Sequence, residues 1–284
     1  KLDHSFSDSY RQIALNAKNA SQPLSLLSTS QKNRALKAMA EAVLKNQAML
    51  MRENDRDVRA AQKSGMAPSL VSRLKLDASK IKKIAQSLRL IASLADPVGR
   101  EISSFKRPNG LVIKKVRVPI GVILIIYESR PNVTADCMAL CLKSGNSVIL
   151  KGGSEALHSN TALFNVLKAA AVKMGIPSGA FGFVSSSDRR VVNALLGMND
   201  LIGLVIPRGG ESLIRRVTEI SKIPVIKHFK GVCHVYVDKS ADFKKASAIV
   251  INAKTQNPGV CNAMETLLVH QDAAGSFLPE IGER

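Results

Sequence analysis

The chain has 284 residues, 45% hydrophobic and 22% charged, which is enough for a sizeable core in one large or two ordinary domains. No apolar run approaches the roughly 18 residues of a membrane helix, and the first residues lack the apolar segment of a secretory signal, so a cytoplasmic protein with no membrane partner is expected. Four cysteines without the spacing of a small secreted scaffold suit reduced thiols, and the net charge of +19 makes nucleic acid a rival partner, against which stand dispersed Lys and Arg pairs, 4% aromatic content and no tryptophan.

From Ser9 to Ala95 the pattern is helical. Ser30 is placed to cap a helix with Leu36, Met39, Ala40, Val43 and Leu44 on one face, and Asp77 to cap another with Ile81, Ile84, Leu88 and Ile91 on its stripe. Gly65 and Pro68 separate the helices between them. After Asp96-Pro97-Val98-Gly99 the period changes, and the segments 102–106 and 111–118 around Pro108-Asn109-Gly110 predict a hairpin at 101–118 with no clean buried face. A ribbon of that kind projects from a domain and commonly pairs with another chain, so a homo-oligomer is expected.

From Pro119 apolar strands and helices alternate: strands at 122–126, 147–150, 181–184, 201–206 and 224–226, and helices at about 132–143, 154–174, from Asp188 and from Glu211. Continuous apolar strands with crossover helices imply a parallel sheet covered on both faces. The fold class is therefore α/β, a doubly wound, Rossmann-like domain whose ligands bind at the carboxyl ends of the strands. A further strand, His234–Val237, leads to a helix beginning at Phe243, then to the turn-rich stretch Thr255–Asn262 and a strand, Glu265–Val269, expected to be buried. The domain reading is thus 1–227, comprising a helical preface at 1–95, the hairpin and a doubly wound part at 119–227, followed by 228–284. The last segment opens a second domain that it is too short to close, and a truncated chain is expected.

No G-x-G-x-x-G follows the first strand of the alternating region. Two other strand-to-helix turns are glycine-rich, Lys151-Gly152-Gly153-Ser154 and Pro207-Arg208-Gly209-Gly210. Glycines let a backbone approach a phosphate, a helix N-terminus offers free N–H groups, and the cations add charge, so a nucleotide cofactor is an open reading. Lys151 is the residue type that meets the extra ribose phosphate of NADPH. Asn132, near the end of the first strand, suits either an oxyanion donor or a helix N-cap, and spacing does not choose. Arg130 suits a bidentate grip on carboxylate or phosphate. Cys261, on a connection, is either a nucleophile or a small hydrophobe. Cys137 and Cys141 share a helix face and suit core packing; Cys233, His234, His158, His228 and His270 form no metal-site spacing.

Taken together, Arg117–Val122, Tyr127–Thr134, Leu142–Asn146, Leu150–Gly153, Ile206–Gly210, Gly231–Asp238, Asn252–Gln256 and Cys261–Val269 closely resemble the gamma-glutamyl phosphate reductase (glutamate-5-semialdehyde dehydrogenase) family of the aldehyde dehydrogenase superfamily, in order and over essentially the whole chain. The resemblance implies an aldehyde-dehydrogenase-like fold with an NADP-binding domain and the beginning of a catalytic domain. It implies the second step of proline biosynthesis, in which NADPH reduces L-glutamate 5-phosphate to L-glutamate 5-semialdehyde and phosphate is released. By the family pattern Cys261 is the nucleophile that forms a thioester, and Asn132 the oxyanion donor. Lys151, Gly152, Gly153, Pro207, Arg208, Gly209 and Gly210 fall in cofactor-contacting segments. From their positions at strand ends, Arg130 and Arg208 are the residues expected to hold substrate or its phosphate, and the resemblance implies functional coupling to glutamate 5-kinase.

Two departures stand out. Where many members carry Glu-Thr-Gly, this chain has Lys227-His228-Phe229-Lys230, which is compatible with reduction because an acyl phosphate needs no base to activate water. Family members also continue well beyond position 284, which puts turnover by this chain alone in question. The alternatives are the reductase half of a bifunctional pyrroline-5-carboxylate synthase, a relative that acylates coenzyme A, and a basic nucleic-acid-binding protein on a dehydrogenase scaffold.

Overall fold

The structure, a computed structural model, describes residues 4–128, 130–186, 188–227, 231–258 and 260–284. The variant segment at 228–230, Ser129 of the motif before Asn132 and Gly259 of the cysteine turn lie outside the described residues. The chain divides into two compact units, 1–227 and 228–284.

In the first unit the helical stretch resolves into α1 (His4–Ser25), α2 (Thr29–Lys45), α3 (Gln47–Lys63), α4 (Pro68–Leu74) and α5 (Ala78–Ser93). Asp77 caps α5 by accepting from the Lys80 N–H. The cap of α2 is Ser28, not Ser30: Gln31 three residues on completes a capping box with Ser28, and Ser30 falls inside the helix, where it accepts from Arg34. A buried cation ties this layer to the rest. Lys32 on α2 is 1% exposed and pairs with Asp96 at 2.5 Å while donating to the Lys143 carbonyl.

The hairpin pairs β1 (Glu101–Lys106) with β2 (Val112–Val116), antiparallel, and every residue of both strands is exposed, including Ile102, Phe105 and Ile113. The turn needs Gly110, whose φ of 89° is open to glycine at no steric cost.

Next come β3 (Val122–Tyr127), α6 (Asn132–Lys143), β4 (Ser147–Lys151), α7 (Leu157–Lys173), β5 (Phe181–Phe183), α8 (Arg189–Leu196), β6 (Leu204–Arg208) and α9 (Glu211–Ile220). The four strands form one parallel sheet in the order β5-β4-β3-β6. Central β3 is buried throughout, because its side chains alternate between two cores. Val122, Leu124 and Ile126 pack with Ala14 and Ala17 of α1 and with α8 and α9; Ile123, Ile125 and Tyr127 pack with α2, α5, α6 and α7. This is the doubly wound α/β architecture that continuous apolar strands imply.

Three boundaries differ from expectation. The helix after β4 opens with a 3-10 turn at Ser154–Ala156. Residues 201–203 lie outside β6, which starts at Leu204. The 224–226 stretch contributes one parallel bridge, Val205 with Val225, rather than a full strand.

The second unit is β7 (Cys233–Val237), α10 (Phe243–Thr255), β8 (Met264–Val269) and α11 (Gln271–Gly282), with the two strands parallel. Its core gathers Val237, Val250, Met264 and Phe277, and the Phe243 and Phe277 rings meet edge-on at 5.4 Å. β8 is not the buried strand expected. Leu268 and, on β7, Tyr236 are exposed, because within this unit the apolar cluster takes only alternate residues of the two strands. Among the described residues no helix is long and apolar enough to cross a membrane.

Candidate active site

Parallel pairing brings the ends of β3, β4 and β6 to one edge: Ile126 lies opposite both Lys151 and Pro207, and Tyr127 opposite Arg208. A cavity of about 360 Å³ opens there, between the turn after β4, Glu128 and one face each of α8 and α9. Lys151, Gly152 and Gly153 line it. Pro207 is buried behind the turn, and Arg208, Gly209 and Gly210 are exposed.

The glycines of the two turns are needed for different reasons. A Cβ on Gly152 would meet Asn160 Nδ2 at 2.3 Å and the Tyr127 ring at 3.3 Å. Those neighbours belong to a buried chain in which the Tyr127 hydroxyl and Thr134 Oγ1 lie 2.6 Å apart and Thr134 Oγ1 donates to Asn160 Oδ1 at 3.1 Å. Burial pushes the Tyr127 hydroxyl well above its ordinary pKa, although the Thr134 hydrogen bond works against this, so the phenol stays protonated. A Cβ on Gly153 or Gly209 would strike the Glu155 or Glu128 carboxylate. Gly210 alone is roomy, with only Glu128 Oε2 within range, at 3.9 Å.

Both helix N-termini that were expected to offer free N–H groups are engaged by carboxylates distant in sequence. At α7, Asp57 on α3, 3% exposed, accepts from the His158 N–H, the Ser159 N–H and the Ser159 hydroxyl at 3.2, 2.7 and 2.6 Å. At α9, Glu128 Oε2 accepts from the Gly210 N–H at 2.8 Å. Neither carboxylate stands out in the sequence, because no local spacing reports a cap supplied from 82 or 101 residues away. Lys151 is 9% exposed and turns its ammonium onto its own Gly152 carbonyl at 2.8 Å. Burial lowers its pKa, with Glu155 acting in the opposite sense.

Asn132 is the first residue of α6, and Pro131 holds the cap position without a side-chain bond, so the N-cap alternative fails. Its exposed carboxamide donates to Asp136 Oδ2, one turn on, at 3.2 Å. Arg130 is exposed at the mouth of the same helix. Cys141 is buried and Cys137 largely so; burial first, and then the Asp136 charge, push the Cys137 thiol up to about 12, with Arg208 pulling the other way. Both are core thiols.

In the second unit Cys261 is exposed on the turn between α10 and β8, so it is no buried hydrophobe. The turn is held by the Ala263 N–H on the Val260 carbonyl at 3.2 Å, and the Cys261 carbonyl accepts from Cys233 Sγ at 3.4 Å. Among the described residues no three His, Cys, Asp or Glu side chains gather as a metal set.

A doubly wound sheet with a cavity at its carboxyl edge, followed in the chain by a small parallel unit, is an architecture of nucleotide-dependent enzymes. The family model described as aldehyde dehydrogenase family matches residues 3–284, and the chain belongs to that family. Within it the chain is similar to proteins named gamma-glutamyl phosphate reductase. It is 52% identical to the one from Geotalea daltonii over 273 residues, covering 96% of this chain and 65% of that protein. To the Geobacter metallireducens protein it is 53% identical, covering 95% and 65%. The crystal structure of the Thermotoga maritima gamma-glutamyl phosphate reductase superposes with a TM-score of 0.89 at 43% identity, covering 96% of this chain and 66% of that one. The Saccharomyces cerevisiae structure of the same name gives 0.73 at 34%. The chain thus spans about 65% of the length of the curated relatives it matches.

Proposed function

We propose that the chain carries the chemistry of a gamma-glutamyl phosphate reductase: NADPH-dependent conversion of L-glutamate 5-phosphate to L-glutamate 5-semialdehyde and phosphate, the second step of proline biosynthesis. What carries the reading is the exposed thiol on the turn before β8, in a chain half identical to proteins of that name over almost its whole length. In this reading residues 1–227 hold the cofactor and 228–284 contribute the nucleophile. The Cys261 thiolate attacks the acyl carbon, the C–S bond forms as the C–O bond to phosphate breaks, and phosphate leaves with the bonding pair. The Asn132 amide turns from Asp136 toward the oxygen that gains charge. Bound NADPH supplies the hydride that takes the thioester to the aldehyde oxidation level. The C–S bond then breaks, and the aldehyde and the thiolate separate.

The residues present fit such a cofactor. The Gly210 N–H already holds an anionic oxygen, from Glu128, and there is room around it. Lys151, Gly152, Gly153, Pro207, Arg208 and Gly209 complete the edge that would hold the nucleotide, and Arg130 and Arg208 are the cations for substrate or its phosphate. The bare hairpin, with apolar residues exposed on both strands, suits pairing with a second copy of the chain. Glutamate 5-kinase is the functional neighbour this substrate implies. The test is oxidation of L-glutamate 5-semialdehyde with NADP+ at varied phosphate. Phosphate-dependent NADPH formation that Cys261→Ala abolishes is expected; turnover that ignores phosphate or survives the substitution would overturn the reading.

A further inference from the structure

A second cavity in the first unit, about 380 Å³, lies between α4, α5 and the start of α6, and the cofactor edge does not use it. Asn132 lines it, so it begins at the group that the reductase reading aims at the acyl oxygen. Its other polar lining residues are Arg73, Lys80, Lys83, Ser87 and Asp136. Three cations and one carboxylate make the lining net positive by two charges. The amino-acid head of L-glutamate 5-phosphate carries one ammonium and one carboxylate, and a lining with both a carboxylate and cations can meet each of them.

The positions of the charges match as well. Asp136 stands one helical turn beyond Asn132, and its Oδ2 lies 3.2 Å from the Asn132 amide nitrogen, so a ligand oxygen on that amide and an ammonium on that carboxylate would be near neighbours. The four bonds from the substrate's acyl carbon to its ammonium nitrogen span about 5 Å at ordinary bond lengths. Ser87 donates to Asp136 Oδ1 at 2.9 Å and fixes that carboxylate across the α5–α6 interface, while Oδ2 accepts from the Asn132 amide at 3.2 Å. When Asn132 turns to an oxyanion, Oδ2 is left facing the cavity. Lys83 is exposed and stands one turn before Ser87, hence on the same face of α5. Lys80 is committed to the Ser72 and Lys75 carbonyls at 2.8 and 2.6 Å, so it contributes charge but no direct grip.

We infer that this cavity recognises the amino-acid head of the substrate, with Asp136 taking the α-ammonium and Lys83 the α-carboxylate, and that these two residues, neither of them a reacting group, set specificity for an amino-acid acyl phosphate over a plain one. The assignment rests on the reductase reading for the identity of the ligand, but it can be tested without turnover. L-Glutamine is an unreactive probe with the same head and an uncharged five-carbon chain, and glutaramate is that molecule without its ammonium. Calorimetric titration of the chain with each should show L-glutamine binding about tenfold more tightly, the discrimination a charge-assisted contact gives. Asp136→Asn, which keeps the shape and the Ser87 contact, should bring the ratio close to one, and Lys83→Gln, at an exposed position, should weaken both probes by a similar factor. Equal affinity of the native chain for the two probes, no binding of L-glutamine, or a ratio that survives Asp136→Asn would each overturn the inference. If the head site behaves as stated while NADP+-linked oxidation shows no phosphate dependence, the reductase reading fails and the site stands.

Discussion

The carboxylate of Glu128 sits on the first free N–H of α9, where the proposed cofactor would place a phosphate oxygen, and the two must compete. Glu128→Gln retains an acceptor for the Gly210 N–H but removes the charge. A hydrogen bond to a charged group contributes about 1.5–3 kcal/mol. Because Glu128 is exposed, solvent screening reduces the charge-dependent part to about 1 kcal/mol. Displacing a neutral amide should therefore cost the incoming phosphate less, and NADPH should bind about fivefold more tightly to the variant. The assay is a titration followed by cofactor fluorescence. Run at low and at high salt, it should show the gain shrinking, since screening shortens from about 10 Å at 0.1 M to about 3 Å at 1 M. A variant that binds NADPH as the native chain does, or more weakly, would refute the competition and make Glu128 a residue that supports the bound nucleotide instead.

Two further outcomes follow from the packing. Burial alone would raise the Asp96 carboxyl, but the Lys32 ammonium, the Val98 N–H and the Thr29 hydroxyl together hold it below the ordinary carboxylate value. Its contribution is present above the unfolded pKa of about 4 and is lost as pH falls through the lower folded value. Asp96→Ala, which leaves the buried Lys32 unpaired, should therefore cost about 3–5 kcal/mol in urea unfolding at pH 7, a gap that closes on acidification below pH 4. Gly152→Ala places a methyl group 2.3 Å from Asn160 Nδ2 and should weaken both stability and NADPH binding, whereas Gly210→Ala, with room around it, should leave thermal unfolding little changed.

The alternation of apolar strands and helices from residue 119 was readable because each β3 side chain is buried in one of two cores, which leaves no polar positions to interrupt the run. Asp77 was readable because a cap and its helix are neighbours in sequence. Between Ser28 and Ser30 the hydroxyl alone does not decide; Gln31 decides, through the reciprocal bond that only Ser28 can make. The site was less legible for the same reason of locality. Glycine-rich turns announced the sheet edge, but the carboxylates that occupy the two helix N-termini come from α3 and from the end of β3, and only the folded chain brings them there. Asn132 illustrates the limit: its residue type fits a cap, yet Pro131 holds that position and frees the amide for Asp136. The exposure of Leu268 on β8 was likewise hidden, since an apolar run does not say how many faces of its sheet are covered.

The chain of hydrogen bonds from Tyr127 through Thr134 to Asn160 ties the end of β3, the first turn of α6 and the first turn of α7 together. A side chain at Gly152 would collide with two of its three members. Thr134 also sits in the same helical turn as Asn132. In the proposed reading Asn132 and the cofactor turn lie at the same carboxyl edge of the sheet, and this chain of hydrogen bonds is what ties the two together.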